Sequence, residues 1–286
     1  YYEGQTDIYL QTHYQLLFSH EFNRKLTMNA ALHYTRGDGY YEQYKDDDEF
    51  ADYGLKPLMI GDTVLTTGEI QMVFPDSTIR QSDIIRRKMM GNDFYGFTYS
   101  LNYKYKKIDA SIGGAWNRYD GDHFGNIIWM EFAATTEKDY EWYFNNGTKS
   151  DGNLFAKLNY QLSPNFNLYA DMQYRRIDYK MSGIDDDLKD LTQKHSYNFF
   201  NPKMGMYFEI SPKQKGYFSF AVANREPTRA NFKDATGDEK ATPQPETLYD
   251  YELGYNLTTT NGMFRINLYY MDYVNQLVLT GEKSNV

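Results

Sequence analysis

The chain has 286 residues, a formal net charge of −9 and no cysteine. The acid excess gives a nucleic-acid partner or an anionic surface little electrostatic support. The lack of cysteine excludes disulfides, thiolate metal sites and a cysteine nucleophile. Mean hydropathy is −0.74, and no run of roughly 18 apolar residues is present to form a spanning helix.

In chain order, the first segment, about 5–20, reads as a strand entering a short turn at Asn23-Arg24. Over 26–35, Leu26, Met28, Ala30, Leu32 and Tyr34 alternate with Thr27, Asn29, Ala31, His33 and Thr35. A period of two places each set on one face of a strand. A long polar stretch, 46–91, follows and opens on Asp46-Asp47-Asp48-Glu49. These carboxylates suit calcium by ligand type but lack the spacing and glycine of an EF-hand loop, so a solvated charge run is the simpler reading.

Over 94–105, Tyr95, Phe97, Tyr99, Leu101, Tyr103 and Tyr105 oppose Phe94, Gly96, Thr98, Ser100, Asn102 and Lys104. A short turn at Lys106-Lys107 leads to a strand holding Gly113-Gly114, then to a long connection expected over 120–150. After the turn Ser163-Pro164-Asn165, Phe166, Leu168, Ala170, Met172 and Tyr174 alternate with Asn167, Tyr169, Asp171, Gln173 and Arg175. A third long connection, 181–195, carries Asp185-Asp186-Asp187. Asn201-Pro202 interrupts the next strand, and proline's missing donor predicts a bulge there. The turn Ser211-Pro212-Lys213 precedes a last long connection, 226–246. Two further alternating strands, 248–257 and about 263–279, flank the turn Thr260-Asn261-Gly262.

Short and long connections therefore alternate along about ten strands, each long enough for the roughly 9–11 residues of a tilted transmembrane strand. Tyr34, Tyr95, Tyr105, Tyr174 and Tyr255 cap the apolar faces, as an aromatic girdle at a membrane interface does. The expected fold is all-β: an antiparallel transmembrane β-barrel, with a soluble all-β sandwich as the competing architecture. Short turns on one side and long loops on the other suit an outer membrane with periplasmic turns and extracellular loops. On that orientation the first strand descends and the last ascends, so both ends fall on the loop side. The sequence then reads as a barrel fragment truncated at both ends, since an open sheet edge in lipid is costly.

The loop-proximal motifs carry a family resemblance. They include Asn92-Asp93-Phe94-Tyr95-Gly96, Phe200-Asn201-Pro202-Lys203-Met204-Gly205 and Arg225-Glu226-Pro227-Thr228-Arg229. Pro245-Glu246 with Tyr251-Glu252-Leu253-Gly254-Tyr255 completes the series. In this order they resemble the barrel of TonB-dependent outer-membrane receptors, especially those of Bacteroidetes, over essentially the whole chain. The resemblance implies a 22-stranded barrel, of which residues 1–286 are a part without the N-terminal plug. It implies import of a scarce nutrient or metal chelate, such as a ferric siderophore, haem, cobalamin or a glycan, across a Gram-negative outer membrane. The implied partners are outer-membrane lipid, the nutrient, the plug and TonB. A passive porin or an adhesive surface barrel is the alternative.

Candidate ligand-binding residues follow from local chemistry. Asp120, Asp122 and His123 stand where a strand is expected to open into a loop, and offer oxygen and imidazole groups to a ligand or cation. Asp-Gly-Asp is also ordinary turn chemistry. Trp129, Trp142, Tyr143 and Phe144 supply aromatic surface for ligand stacking or for strand extensions above the membrane. Arg225, Arg229 and Arg265 are expected to face the lumen, with donors for a carboxylate, a plug residue or an anionic chelate. No residue pattern calls for a cofactor, a metal centre or enzymatic catalysis; the five histidines are scattered and lack metal-ligand spacing.

Overall fold

The computed structural model describes residues 5–60, 63–66, 69–72, 77–133, 136–235 and 242–276. Ten long strands form one antiparallel sheet with every neighbour sequential among its members. They are β1 (Asp7–Asn23), β2 (Leu26–Glu49), β7 (Gln81–Tyr105), β8 (Ile108–Met130), β9 (Tyr140–Ser163), β10 (Phe166–Gly183), β11 (Gln193–Ser211), β12 (Gln214–Arg225), β13 (Glu246–Thr258) and β14 (Met263–Val274). The connection after β2 holds a 3₁₀ turn (Phe50–Tyr53) and two small ladders, β3 (Leu58–Ile60) with β6 (Ser77–Ile79) and β4 (Thr63–Thr66) with β5 (Glu69–Met72). A seven-residue helix, α1 (Arg229–Ala235), follows β12. The expected final strand runs on to 279, and its last residues lie outside those described.

Register turns the sequence alternation into a property of the whole sheet. Leu26, Tyr103, Ala110, Leu158, Ala170, Met204, Phe220, Tyr251 and Tyr270 are successive partners across β2 and β7–β14. Every member of that row is apolar or aromatic. The neighbouring row, one residue on and facing the other way, runs Thr27, Asn102, Ser111, Lys157, Asp171 and Lys203. Lys157 and Asp171 form an ion pair at 3.5 Å within it. A sheet charged on one face and apolar on the other needs two different solvents. The apolar side chains are exposed, Met172 at 55% and Leu154 at 58%, so this face meets lipid and not a second sheet.

The polar face is the concave one, because its side chains bridge strands that are not neighbours. His33 on β2 reaches Asn117 on β8 at 2.8 Å, and Asn92 on β7 reaches Tyr9 on β1 at 3.1 Å. The outward belt from Phe166 to Tyr174 rises roughly 21 Å for a strand tilted by about 40°, close to the apolar band of an outer-membrane barrel. Above it the outward face turns polar through mixed rows, and Arg36, Asp93, Asp120, Thr148, Lys180 and Lys194 are successive register partners in the first row without an apolar member.

The connections alternate as expected, but the long ones are shorter than the sequence suggested. β8 and β9 stay paired up to Ile127↔Tyr140, so the 120–150 connection shrinks to residues 131–139. β2 carries Asp46 to Glu49 inside the strand, with Asp47 at φ +49° beside a register shift between Lys45 and Asp48. Asn201-Pro202 makes no bulge. Pro202 pairs in register with Met172, and the β11–β12 ladder begins only at Lys203. The Asn201 side-chain oxygen accepts from the Asn224 backbone N–H at 3.1 Å, which replaces the bond a continued ladder would have made. Among the described residues β1 and β14 each pair on one side only, forming the two edges of the sheet.

Candidate functional site

Buried packing is confined to the long-loop end. Phe50, Tyr53, Ile84, Ile127, Met130, Trp142 and Tyr143 form one cluster, and Tyr179, Met181, Leu191 and Phe232 another. A register shift between Gly125 and Asn126 makes room for the first. It turns Trp142 and Tyr143 to the same side, over Gly125, where any added Cβ would lie 2.3 Å from both rings. The side chain that glycine lacks is what allows the aromatic pair to close over β8.

The second cluster holds the loop helix. Thr228 and Asn231 cap α1 reciprocally: the Thr228 backbone N–H donates to Asn231 Oδ1 at 2.8 Å, and the Asn231 N–H donates to Thr228 Oγ1 at 3.3 Å. Phe232, 2% exposed, stacks on His195 with ring centroids 4.1 Å apart. α1 therefore sits inside the mouth, against the inward faces of β10 and β11.

Charge fixes it there. Arg229 donates to Asp185 at 2.7 Å and to Asn145 Oδ1 at 2.8 Å. Lys233 lies 2.9 Å from Asp185 and 2.6 Å from Asp186, and Lys88 of β7 also bonds Asp186. The three carboxylates Asp185, Asp186 and Asp187 have the mutual spacing to hold a cation, and the Lys233 ammonium occupies that role. Burial opposes the charged form of Asp186, but hydrogen bonds from Lys233 and Lys88 outweigh it and hold its carboxyl at about 2. Burial likewise opposes Asp185, whose carboxyl is nonetheless held low by Lys233 and Arg229. Glu226, at the start of the same connection, binds Lys149 and Arg175, the latter at 3.2 Å.

Two cavities open beside α1, of about 390 and 420 Å³, and share His123 and Arg229. Tyr9, Tyr41, Met90 and Tyr143 line the first; Tyr119, Lys149, Tyr179 and Arg225 line the second. His123 is pushed below its ordinary range by burial and by the Arg229 charge, so its imidazole is neutral and free to accept or donate.

The candidate residues separate on this geometry. His123, Tyr143, Arg225 and Arg229 come together at the cavities. Asp120 and Asp122 do not: they lie in a continuous strand, on the outward face opposite to His123, and accept from Asn146 at 2.8 and 2.7 Å. Period-two geometry, not turn chemistry, governs Asp-Gly-Asp here, and Gly121 pairs directly with Gly147. Trp142 is buried against Tyr53 and Tyr143, while Trp129 stays 48% exposed outside both cavities. Arg265 pairs with Asn256 on the inward face, as expected. Lys88, Asn145 and Lys233 were missed by sequence reasoning. They stand far apart in the chain, and only Asp185 and Asp186 of the β10–β11 connection bring them together.

Comparison with known proteins decides the family. The family described as TonB dependent receptor-like, beta-barrel matches residues 1–285. The chain belongs to this family. Among solved structures, the ferric-catecholate import receptor Fiu from K12 E. coli, closed form, superposes with a TM-score of 0.65 at 13% identity, over 99% of this chain and 43% of that one. The copper transporter OprC gives 0.64 at 10% identity, over 92% and 38%, and the ferric yersiniabactin uptake receptor FyuA from Yersinia pestis gives 0.57 at 10%, over 94% and 37%. At such identities these likenesses show the fold alone. The chain spans about two fifths of the length of the structures it matches. No curated protein matches it. The TonB-dependent family and its fold neighbours are receptors and transporters, not enzymes.

Proposed function

We propose that the chain forms part of the wall and mouth of a Gram-negative outer-membrane receptor, which captures a scarce nutrient at its long-loop end and imports it with energy delivered by TonB. The observation that carries this reading is the pair of cavities sharing His123 and Arg229 at the mouth of a family barrel. Tyrosine rings give contact area there, while His123 and the remaining guanidinium N–H groups of Arg225 and Arg229 offer donors to anionic oxygens. A ferric siderophore or another anionic metal chelate fits that mixture, with haem, cobalamin or a glycan as further cargo classes. Residues 1–286 are then a partial barrel of some 22 strands whose plug lies elsewhere in the protein, and whose edges β1 and β14 pair with further strands. The Asn201-Pro202-Lys203 and Arg225–Arg229 motifs support a Bacteroidetes-type receptor.

The test is equilibrium binding of a ferric-chelate panel, including ferric catecholates and ferric citrate, to the intact protein. Tyr143→Ala and His123→Ala should each weaken the bound chelate by about tenfold, since each removes contact area or a polar anchor from the pocket. Undiminished binding in both variants would move capture away from this mouth. Equal uptake with and without TonB would instead favour a passive or adhesive barrel.

A further inference from the structure

The inner wall below the mouth carries a pair of histidines that their spacing in the chain does not disclose. Register places His13 of β1 opposite Thr35 and His33 of β2 opposite Gln15. The two imidazoles are therefore diagonal neighbours on the inward face, at the roughly 7–8 Å separation over which ring side chains still meet. Both line a cavity of about 620 Å³. Tyr9 and Met90 line this cavity and the first mouth cavity alike, so the two adjoin.

Each ring is anchored through one nitrogen. His33 Nε2 donates to Asn117 Oδ1 at 2.8 Å; a carbonyl oxygen only accepts, so the lone pair of this ring is on Nδ1. Phe94 lies against the same ring, with centroids 4.9 Å apart. His13 Nδ1 meets the hydroxyl of the buried Thr35 at 2.9 Å. With that hydroxyl accepting, the lone pair of His13 is on Nε2. Among the described residues neither second nitrogen has a hydrogen-bond partner. Metal-bound histidines are arranged in this way, one ring nitrogen hydrogen-bonded so that the tautomer is fixed and the other nitrogen is aimed. One such ring is ordinary lumen polarity; two on adjoining strands, each anchored from one side, form a ligand pair. Gln15, opposite His33 and next to His13 on its face, adds an amide oxygen. We propose that His13 and His33 bind a divalent transition-metal ion on the lumen wall, with Gln15 as a third donor and the remaining positions left to water or to atoms the ion brings with it. Two imidazoles and an amide oxygen suit copper(II), nickel(II) or zinc(II), whereas calcium and magnesium take oxygen ligands. The site belongs to the wall itself and is independent of the chelate reading of the mouth.

The test is copper(II) binding to the intact detergent-purified protein, stripped of metal beforehand, read by equilibrium titration and electron paramagnetic resonance. The tightest-bound ion should show nitrogen coupling from two imidazoles. His13→Ala and His33→Ala should each lower affinity by about a hundredfold and leave a single-imidazole signal, and Asn117→Ala, which frees the His33 ring from its anchor, should lower it by about tenfold. His20→Ala, on the exposed outward face of β1, should change neither readout. Band-shift on heating confirms that each variant has an assembled barrel; should an alanine variant fail it, His13→Gln and His33→Gln carry the same comparison. A spectrum without imidazole coupling, or one that neither the His13 nor the His33 substitution alters, overturns the proposal. So does displacement of the copper by an equal concentration of calcium.

Discussion

Asp185 and Arg229 lie 44 residues apart in sequence and meet at 2.7 Å, joining the β10–β11 connection to helix α1 across the mouth of the sheet. The Asp185 side chain is 5% exposed and the Arg229 side chain 33%, so the pair is partly desolvated and shielded from salt. Asn145 completes it from β9, donating to Asp185 at 3.1 Å and accepting from Arg229. Removing one member leaves the others short of a partner, which typically costs 1–3 kcal/mol. Asp185→Asn and Arg229→Gln should therefore release α1 without unfolding the wall. Limited proteolysis should cut within 226–245 faster in both variants, while the heat-induced band shift of the barrel stays unchanged.

The docking of α1 should also weaken as pH falls, in two steps. His123 and His195 are both held below the ordinary 6.5, chiefly by burial. A depressed histidine stabilises the fold above its unfolded value, and that contribution declines as pH drops below about 6.5. Asp186, held at about 2 against 3.8, contributes about 2 kcal/mol above that range, lost as pH falls from roughly 4 to 2. Lys233, raised by Asp185 and Asp186 against the effect of burial, works in the opposite sense and loses its contribution only above its ordinary 10.5. Protection factors for amide hydrogen exchange across 229–235, with the intrinsic rate at each pH divided out, should fall below pH 6.5 and again below pH 4, and stay level between pH 7 and 9.

Gly125→Ala should disturb the aromatic pair above β8. The new methyl meets Trp142 and Tyr143 at 2.3 Å, a degree of overpacking that costs about 1–3 kcal/mol. The expected signs are a shifted tryptophan emission and altered chelate affinity with intact barrel assembly. Unaltered emission would mean that the rings have room the geometry denies.

The two faces of the wall make a sharper prediction. Arginine at Leu101 or Met172 should cost about 2–4 kcal/mol of barrel stability, and arginine at Asn102 or Asp171 much less. In a background free of other cysteines, Cys placed at 101 or 172 should react with a lipid-phase reagent and Cys at 102 or 171 with a water-phase one. Equal labelling on both faces would contradict the register rows.

Much of this was legible in the sequence, for a physical reason. Period-two alternation is local, so Tyr95 to Tyr105 disclosed their own strand and face, and turn chemistry at 106–107 and 163–165 disclosed the register of its neighbours. Where strands end was harder to read. Asp120 and Asp122 resemble turn residues, yet cross-strand pairing to Thr148 and Asn146 carries the ladder past them. Polarity marks departure from lipid, not departure from the sheet, and the two coincide only in strands that stop at the membrane surface. Helix α1 had one local signal, the Thr228-Arg-Ala-Asn231 cap. Its partners Asn145, Asp185 and Asp186 are joined only by tertiary folding, which no local pattern encodes.

Energised import is the central claim, and one measurement bears on it most directly. Cells carrying the intact protein as their sole route for a ferric chelate should accumulate labelled iron when TonB is present and stop when TonB is deleted, while surface binding of the chelate persists. Uptake that continues unchanged without TonB, or binding that vanishes with it, would contradict the account.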